Sequence, residues 1–243
     1  MTAGRKKTAA EHLCVALDFP GRGEILDAAK RFGPRVGWLK VGLEAFVAHG
    51  PTVVGEVAGH ARVFLDLKLH DIPHTVARAA AAAARSGASM INVHASGGRA
   101  MLRAAREALP PDGPLLVAVT LLTSLDPAAL ADLPMAGHPE GIVRRLAGLA
   151  QECGLDGVVC SPGEIASVRA VCGPEFRTVV PGIRPTGTQA GDQKRLATPS
   201  DAVAAGADLL VIGRPITAAA DPDSALEAIL EEIESGLQTR ARA

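Results

Sequence analysis

The sequence predicts a single-domain α/β protein folded as a (β/α)8 (TIM) barrel. Short β-branched or leucine-rich runs alternate with longer, Ala-rich stretches of helical period. That alternation repeats about eight times, which implies a parallel sheet. The chain has 243 residues, close to the roughly 250 typical of such a closed barrel. No glycine-rich linker or shift of composition divides it.

The elements follow in order. Residues 1–11, with Arg5, Lys6 and Lys7, read as a flexible, solvated tail ahead of the single barrel domain over 12–243. The first strand is Leu13–Asp18, followed by a helix near 24–32. Trp38–Gly42 is the second strand and leads into a helix near 43–49. Arg62–Lys68 is the third, before a helix near 75–86. Ala dominates Ala77–Arg85, so the low-complexity Ala79–Ala84 stretch reads as helix rather than disorder. Strands Met90–His94 and Leu115–Leu121 precede helices near 98–108 and 140–153. Gly157–Ser161, Thr178–Gly182 and Leu209–Gly213 complete the set, with helices near 162–172, 200–205 and 222–235.

Composition narrows the function. Aromatic residues make up 2% (five Phe, one Trp, no Tyr), which argues against stacking platforms for bases or sugars. A formal net charge of -1 argues against a broad nucleic-acid or membrane surface. An anionic ligand must therefore be held by a few placed cations. Cys14, Cys153, Cys160 and Cys172 form no CxxC pair and stand at no zinc-ligand spacing to a histidine, so they read as reduced, largely buried thiols. No apolar run approaches the roughly 20 residues of a membrane span, and the chain reads as cytoplasmic.

Strand parity carries the first functional signal. In Val63-Phe64-Leu65-Asp66-Leu67-Lys68-Leu69 the leucines take one face, while Asp66 and Lys68 take the other. Leucines packed under helices would leave both charges inside the barrel. The first strand likewise turns Asp18 inward, and the second Lys40. Charges inside a barrel are costly unless paired or used, and all of these stand at the end where barrel enzymes build active sites. Asp66, Lys68 and Asp71, with Lys40 and Asp18 near, alternate in sign, which keeps each group ionised. Such a lysine stays a proton donor and is poorly suited to Schiff-base chemistry, which needs a neutral amine. A salt bridge that merely satisfies itself is the simpler alternative, yet two lysines and three aspartates exceed structural need.

A second site is expected after the last strands. Gly213 and Arg214 follow the eighth, where barrels of this kind often bind phosphate. Pro181-Gly182-Ile183-Arg184-Pro185 and Gly191-Asp192-Gln193 bracket a long loop that could close as a lid. His70 and His74 are four apart, but Pro73 interrupts regular helix between them and no third ligand is evident, so a metal site is not predicted. His94 reads as a hydrogen-bonded wall residue. His12, His49, His60 and His138 fall in loops or at element ends and carry no signal.

Taken together, Ala16-Leu17-Asp18, Leu39-Lys40-Val41-Gly42, Asp66 through Pro73, Val119 through Ser124, Pro181 through Pro185, Gly191-Asp192-Gln193 and Val211 through Pro215 resemble the orotidine 5'-phosphate decarboxylase family. The resemblance spans nearly everything from Leu13 to Pro222. One departure is His74, where related sequences often carry Asn. The resemblance implies conversion of orotidine 5'-phosphate to UMP and CO2, without metal or cofactor. Lys68 would protonate C6 and stabilise the developing carbanion, held by Asp66 and flanked by Lys40. Asp18 and Lys40 would meet the ribose hydroxyls, and Thr123 the pyrimidine. Arg184, Gln193, Gly213 and Arg214 would grip the phosphate. Asp71, Ile72 and Thr75 would come from the neighbouring subunit of a homodimer, with Asp71 beside the substrate carboxylate. Metal-dependent phosphosugar decarboxylases and aldolases share the Asp-x-Lys-x-x-Asp core but place a Glu ligand on the second strand, where this chain has Lys40. A catalytically idle phosphate sensor predicts loss of a charged site residue, yet all of them are present.

Overall fold

The strands that build the barrel are short and apolar enough to be buried on both faces, as an all-parallel sheet requires. The computed structural model describes residues 8–125, 127–132, 135, 137–186 and 197–242. In its first third run β1 (Leu13–Ala16), α1 (Arg22–Phe32), β2 (Trp38–Gly42), α2 (Leu43–His49), α3 (Thr52–Ala58), β3 (Arg62–Leu69) and α4 (Pro73–Ala84). Then come β4 (Met90–His94), α5 (Gly98–Glu107), β5 (Leu115–Val119), α6 (Pro127–Ala131) and α7 (Pro139–Glu152). The last part holds β6 (Gly157–Val159), α8 (Ile165–Cys172), β7 (Arg177–Val180), α9 (Pro199–Ala204), β8 (Leu209–Ile212), α10 (Arg214–Thr217) and α11 (Pro222–Arg242). The strands pair in parallel, each with its sequence neighbour, and β8 closes on β1. The predicted barrel is therefore the observed fold.

Two apolar layers follow from strand parity. Leu39, Val41, Leu65, Leu116 and Leu210 point outward into the annulus beneath the helices and are fully buried. Each such leucine stabilises the fold by roughly 2 kcal/mol. Cys14, Ala16, Trp38, Phe64, Met90, Val117, Val119, Val179, Leu209 and Val211 fill the barrel interior. At the N-terminal end of the strands the Arg62 guanidinium lies 4.3 Å from the centre of the Trp38 ring and donates to the Gly37 carbonyl. Barrels of this kind build their sites at the opposite end, where the strands finish. All four cysteines are free and buried, and burial pushes the Cys14 and Cys160 thiols well up.

Some expected boundaries move. β1, β5, β6, β7 and β8 stop short of the predicted ends, because the ladder ceases where the chain turns out toward the mouth. α3 was not predicted: Thr52–Ala58 is rich in Val and contains Gly55, both poor helix formers, and its helicity comes from burying Val53, Val54 and Val57. The single-turn helices α6 and α10 are too short to show a period. α11 runs on past 235 because Gly236 is an approach point and not a stop. A Cβ there would lie 2.5 Å from the Ser200 carbonyl oxygen of α9. At the start of the chain, Ala9–His12 forms a 3-10 turn with buried His12, and Ala10 accepts a hydrogen bond from Gly37. The expected tail boundary at residue 11 therefore falls inside an ordered element. Among the described residues no helix is long and apolar enough to cross a membrane.

Candidate active site

Three neighbouring strands bring the charges together. β2 carries Lys40 on an inward position, β3 carries Asp66 opposite Gly42, two residues further along the ladder, and the chain leaving β1 carries Asp18. Lys40 Nζ stands 2.8 Å from Asp18 Oδ1 and 3.6 Å from Asp66 Oδ2. Lys68 Nζ donates to Asp66 Oδ1 at 2.7 Å. The result is one continuous chain, Asp18–Lys40–Asp66–Lys68, of alternating sign. Its middle is buried and its ends reach the solvent: the Lys40 and Asp66 side chains are 10% and 12% exposed, against 54% for Asp18 and 32% for Lys68. Gly42 makes room for it, since a Cβ there would lie 2.9 Å from Asp18 Oδ1 and 3.0 Å from Lys40 Nζ.

Burial and pairing oppose each other at this site. Burial alone would raise the Asp66 carboxyl, but the Lys40 and Lys68 charges and hydrogen bonds from Lys68 and Asn92 bring it below the usual carboxylate range. Burial likewise presses the Lys40 ammonium toward neutrality, and Asp66 and Asp18 overcome it, leaving its pKa raised. Pairing wins at both groups. Lys40 and Asp66 are thus ionised at neutral pH, one a fixed cation and the other a fixed anion.

Asn92 was not singled out from the sequence. It is 1% exposed, projects from β4 into the barrel, and donates through Nδ2 to Asp66 Oδ1 at 2.7 Å. Its signal was available in the Met90–His94 strand, where a polar residue occupies an inward position between Met90 and His94. His94 ends β4, half-buried, with its ring 5.5 Å from that of His70. Burial, then the neighbouring His70 and Lys68, lowers its pKa. His70 and His74 do not share a helix face: His70 follows β3, while Pro73 opens α4 at its first position with His74 next.

The remaining expected residues sit around the mouth. Asp71, Ile72 and Thr75 are all exposed, Ile72 to 66%, on the β3–α4 turn and the first turn of α4. Within the one chain Asp71 is not part of the ion-pair series; its Oδ1 accepts the Ile72 backbone N–H at 2.6 Å. Thr123 is half-buried in the turn after β5. Arg184 follows a parallel bridge between Ile183 and Ala197 that ties together the two ends of the long loop after β7. Gly213 caps α10 and Arg214 is its first residue, directly after β8. Gln193, with Gly191 and Asp192, lies outside the described residues. The mouth therefore joins a buried alternating charge chain on β1–β3 to a glycine and two arginines after β7 and β8. That combination can hold a phosphorylated ligand at one side and present an ammonium to it at the other.

The family model described as "Orotidine 5'-phosphate decarboxylase / HUMPS family" matches residues 11–229. A curated relative from Anaeromyxobacter dehalogenans, named orotidine 5'-phosphate decarboxylase, is 54% identical over 221 residues, covering 90% of this chain and 97% of its own. One of the same name from Nitrosospira multiformis is 50% identical, covering 91% and 93%. Among solved structures, orotidine 5'-phosphate decarboxylase from Lactobacillus acidophilus superposes with a TM-score of 0.80 at 37% identity, over 92% of this chain and 99% of that one.

Proposed function

This chain belongs to the orotidine 5'-phosphate decarboxylase / HUMPS family, and on that premise we propose that Lys68 protonates C6 of orotidine 5'-phosphate within the charge chain of the barrel mouth, without a metal. The chain is a carbon–carbon lyase of pyrimidine biosynthesis. The observation that carries the proposal is the Lys68 ammonium, 2.7 Å from Asp66, with Lys40 on the other side of the same carboxylate.

In the reaction the bond from C6 to the carboxylate breaks, CO2 leaves and the electron pair stays on C6. Lys68 delivers a proton to that carbon, giving UMP, and the resulting amine regains a proton from water. An ammonium fixed beforehand stabilises the negative charge at C6 with no reorganisation during the step. Asp66 keeps the ammonium in place. Lys40 and Asp18 take the ribose hydroxyls, Thr123 the pyrimidine, and Arg184, Gln193, Gly213 and Arg214 the phosphate. Binding energy from the phosphate, remote from C6, supports desolvation at the reacting carbon. A metal-dependent phosphosugar reaction fits less well, because the Lys40 ammonium 3.6 Å from Asp66 would repel a divalent cation bound to that carboxylate. A cytoplasmic setting suits the chemistry, since phosphorylated substrate and product do not cross a bilayer unaided.

Asp71, Ile72 and Thr75 reach the site from a second copy of the chain in a homodimer. The support is their common exposure, which includes an apolar Ile72 side chain that a partner would cover. Sedimentation is expected to give an active dimer, and an active monomer would contradict the shared site. The test of the reaction is the ultraviolet absorbance of orotidine 5'-phosphate followed with EDTA present. Steady conversion to UMP is expected. A flat trace from folded protein overturns the reading.

A further inference from the structure

Asn92 stands opposite an irregularity in the barrel wall. Leu65 pairs with Ile91 and Leu69 with Val93, so three residues of β3 (Asp66, Leu67 and Lys68) face the single residue Asn92 of β4. A bulge of this kind re-aims side chains and leaves backbone groups unpaired in the ladder. One backbone group in the bulge, the Lys68 N–H, donates instead to Asn92 Oδ1 at 2.7 Å. Among the described residues Lys68 alone, apart from glycines, has a positive φ, +53°. That region is unfavourable for a residue with a Cβ and persists only where the surroundings hold it.

The other end of the same amide donates to Asp66 Oδ1 at 2.7 Å, on the oxygen that also accepts from Lys68 Nζ. An N–H can only donate and an ionised carboxylate can only accept, so the amide fits in one orientation. Asn92 thus touches the backbone of the proposed proton donor and the carboxylate that holds its ammonium. Buried at 1% exposure, it has no bulk water with which to exchange either bond.

We propose that Asn92 is a positioning residue for the decarboxylation, closing the bulge so that the Lys68 ammonium and the Asp66 carboxylate are held in register with C6. The inference rests on the reading of Lys68 as the proton donor. A displacement of about 1 Å at such a group costs on the order of a hundredfold in rate. The effect therefore falls on kcat more than on substrate binding, which is carried by ribose and phosphate contacts further along the mouth.

The test compares Asn92→Ala and Asn92→Asp with the wild type in the metal-free assay across pH, with UMP binding measured by calorimetry. Asn92→Asp keeps an acceptor for the Lys68 N–H, loses the donor to Asp66 and adds a second carboxylate beside it. Asn92→Ala is expected to lower kcat about tenfold to a hundredfold while KM stays within about threefold. Groups facing Asp66 are Lys40, Lys68 and Asn92, with Cys14 of β1 and His94 of β4 close enough to couple to its charge and Asp18 beyond Lys40. Removing the amide donor makes the carboxylate easier to protonate, so the acid limb of kcat/KM moves to higher pH, and further still in Asn92→Asp. A merely structural asparagine predicts less folded protein with an unmoved pH profile. A kcat within about twofold of wild type and an unmoved acid limb, in whichever variant still binds UMP, overturn the proposal. So does loss of UMP binding in both. A wild type that fails to turn over in EDTA sinks the parent reading instead.

Discussion

Lys68→Ala is expected to abolish measurable turnover, with a loss on the order of 10⁴ or more, combining a missing general acid with a missing charge at the carbanion. The variant should still bind UMP, because the groups assigned to ribose and phosphate are untouched. It should also fold, since Asp66 keeps Lys40 and Asn92 as partners. Single-turnover kinetics beside UMP calorimetry separate the two effects. A near-normal kcat would remove Lys68 from the chemistry. Lost UMP binding with retained fold would move its role from proton transfer to ligand binding.

Asp66→Asn carries the second large effect, in both rate and stability. The carboxylate lies between two ammonium groups, 2.7 Å from Lys68 and 3.6 Å from Lys40. Neutralising it leaves two cations facing each other, one of them buried. Breaking a buried pair in this way costs about 3 kcal/mol, to be read as a lower urea midpoint at unchanged slope. The rate should fall by at least about a hundredfold, because Lys68 loses the partner that holds it at the site. An unchanged urea midpoint would show that Asp18 alone compensates Lys40. The same pair sets a pH window. Asp66 titrates lower in the fold than in the unfolded chain, so its contribution is present above the unfolded pKa and is lost as acid reaches the folded one. Lys40 titrates higher in the fold, so its contribution is complete below the unfolded pKa and is lost as alkali passes the folded one. Neutral pH lies between, where Lys40 and Asp66 are both charged.

Parity made the centre of this site legible. In an extended strand alternate residues share a face, so leucines under the helices oblige Lys40 and Asp66 to point inward, as they do. The place of Gly213 and Arg214 at the mouth was readable for a similar reason: they follow the last strand of a barrel that closes. Helix α3 was not readable, because its Val-rich sequence favours strand locally and becomes helical by burying three valines. The end of α11 was misjudged at Gly236, a residue that stops helices when exposed but here lets α11 approach Ser200.

The sequence by itself determined the barrel, through an alternation repeated along the whole chain, and the strands that bear charge and their alternation of sign, through residues a few positions apart along a strand. Tertiary structure alone decided how those charges are held. Asn92 lies 24 residues from Lys68 and 26 from Asp66 in the chain, and no periodicity links them. The left-handed backbone at Lys68 arises only where β3 bulges against β4. A local pattern sets the face a side chain takes. Its exact aim depends on a backbone group left without a ladder partner, and that group exists only once two strands have paired out of step.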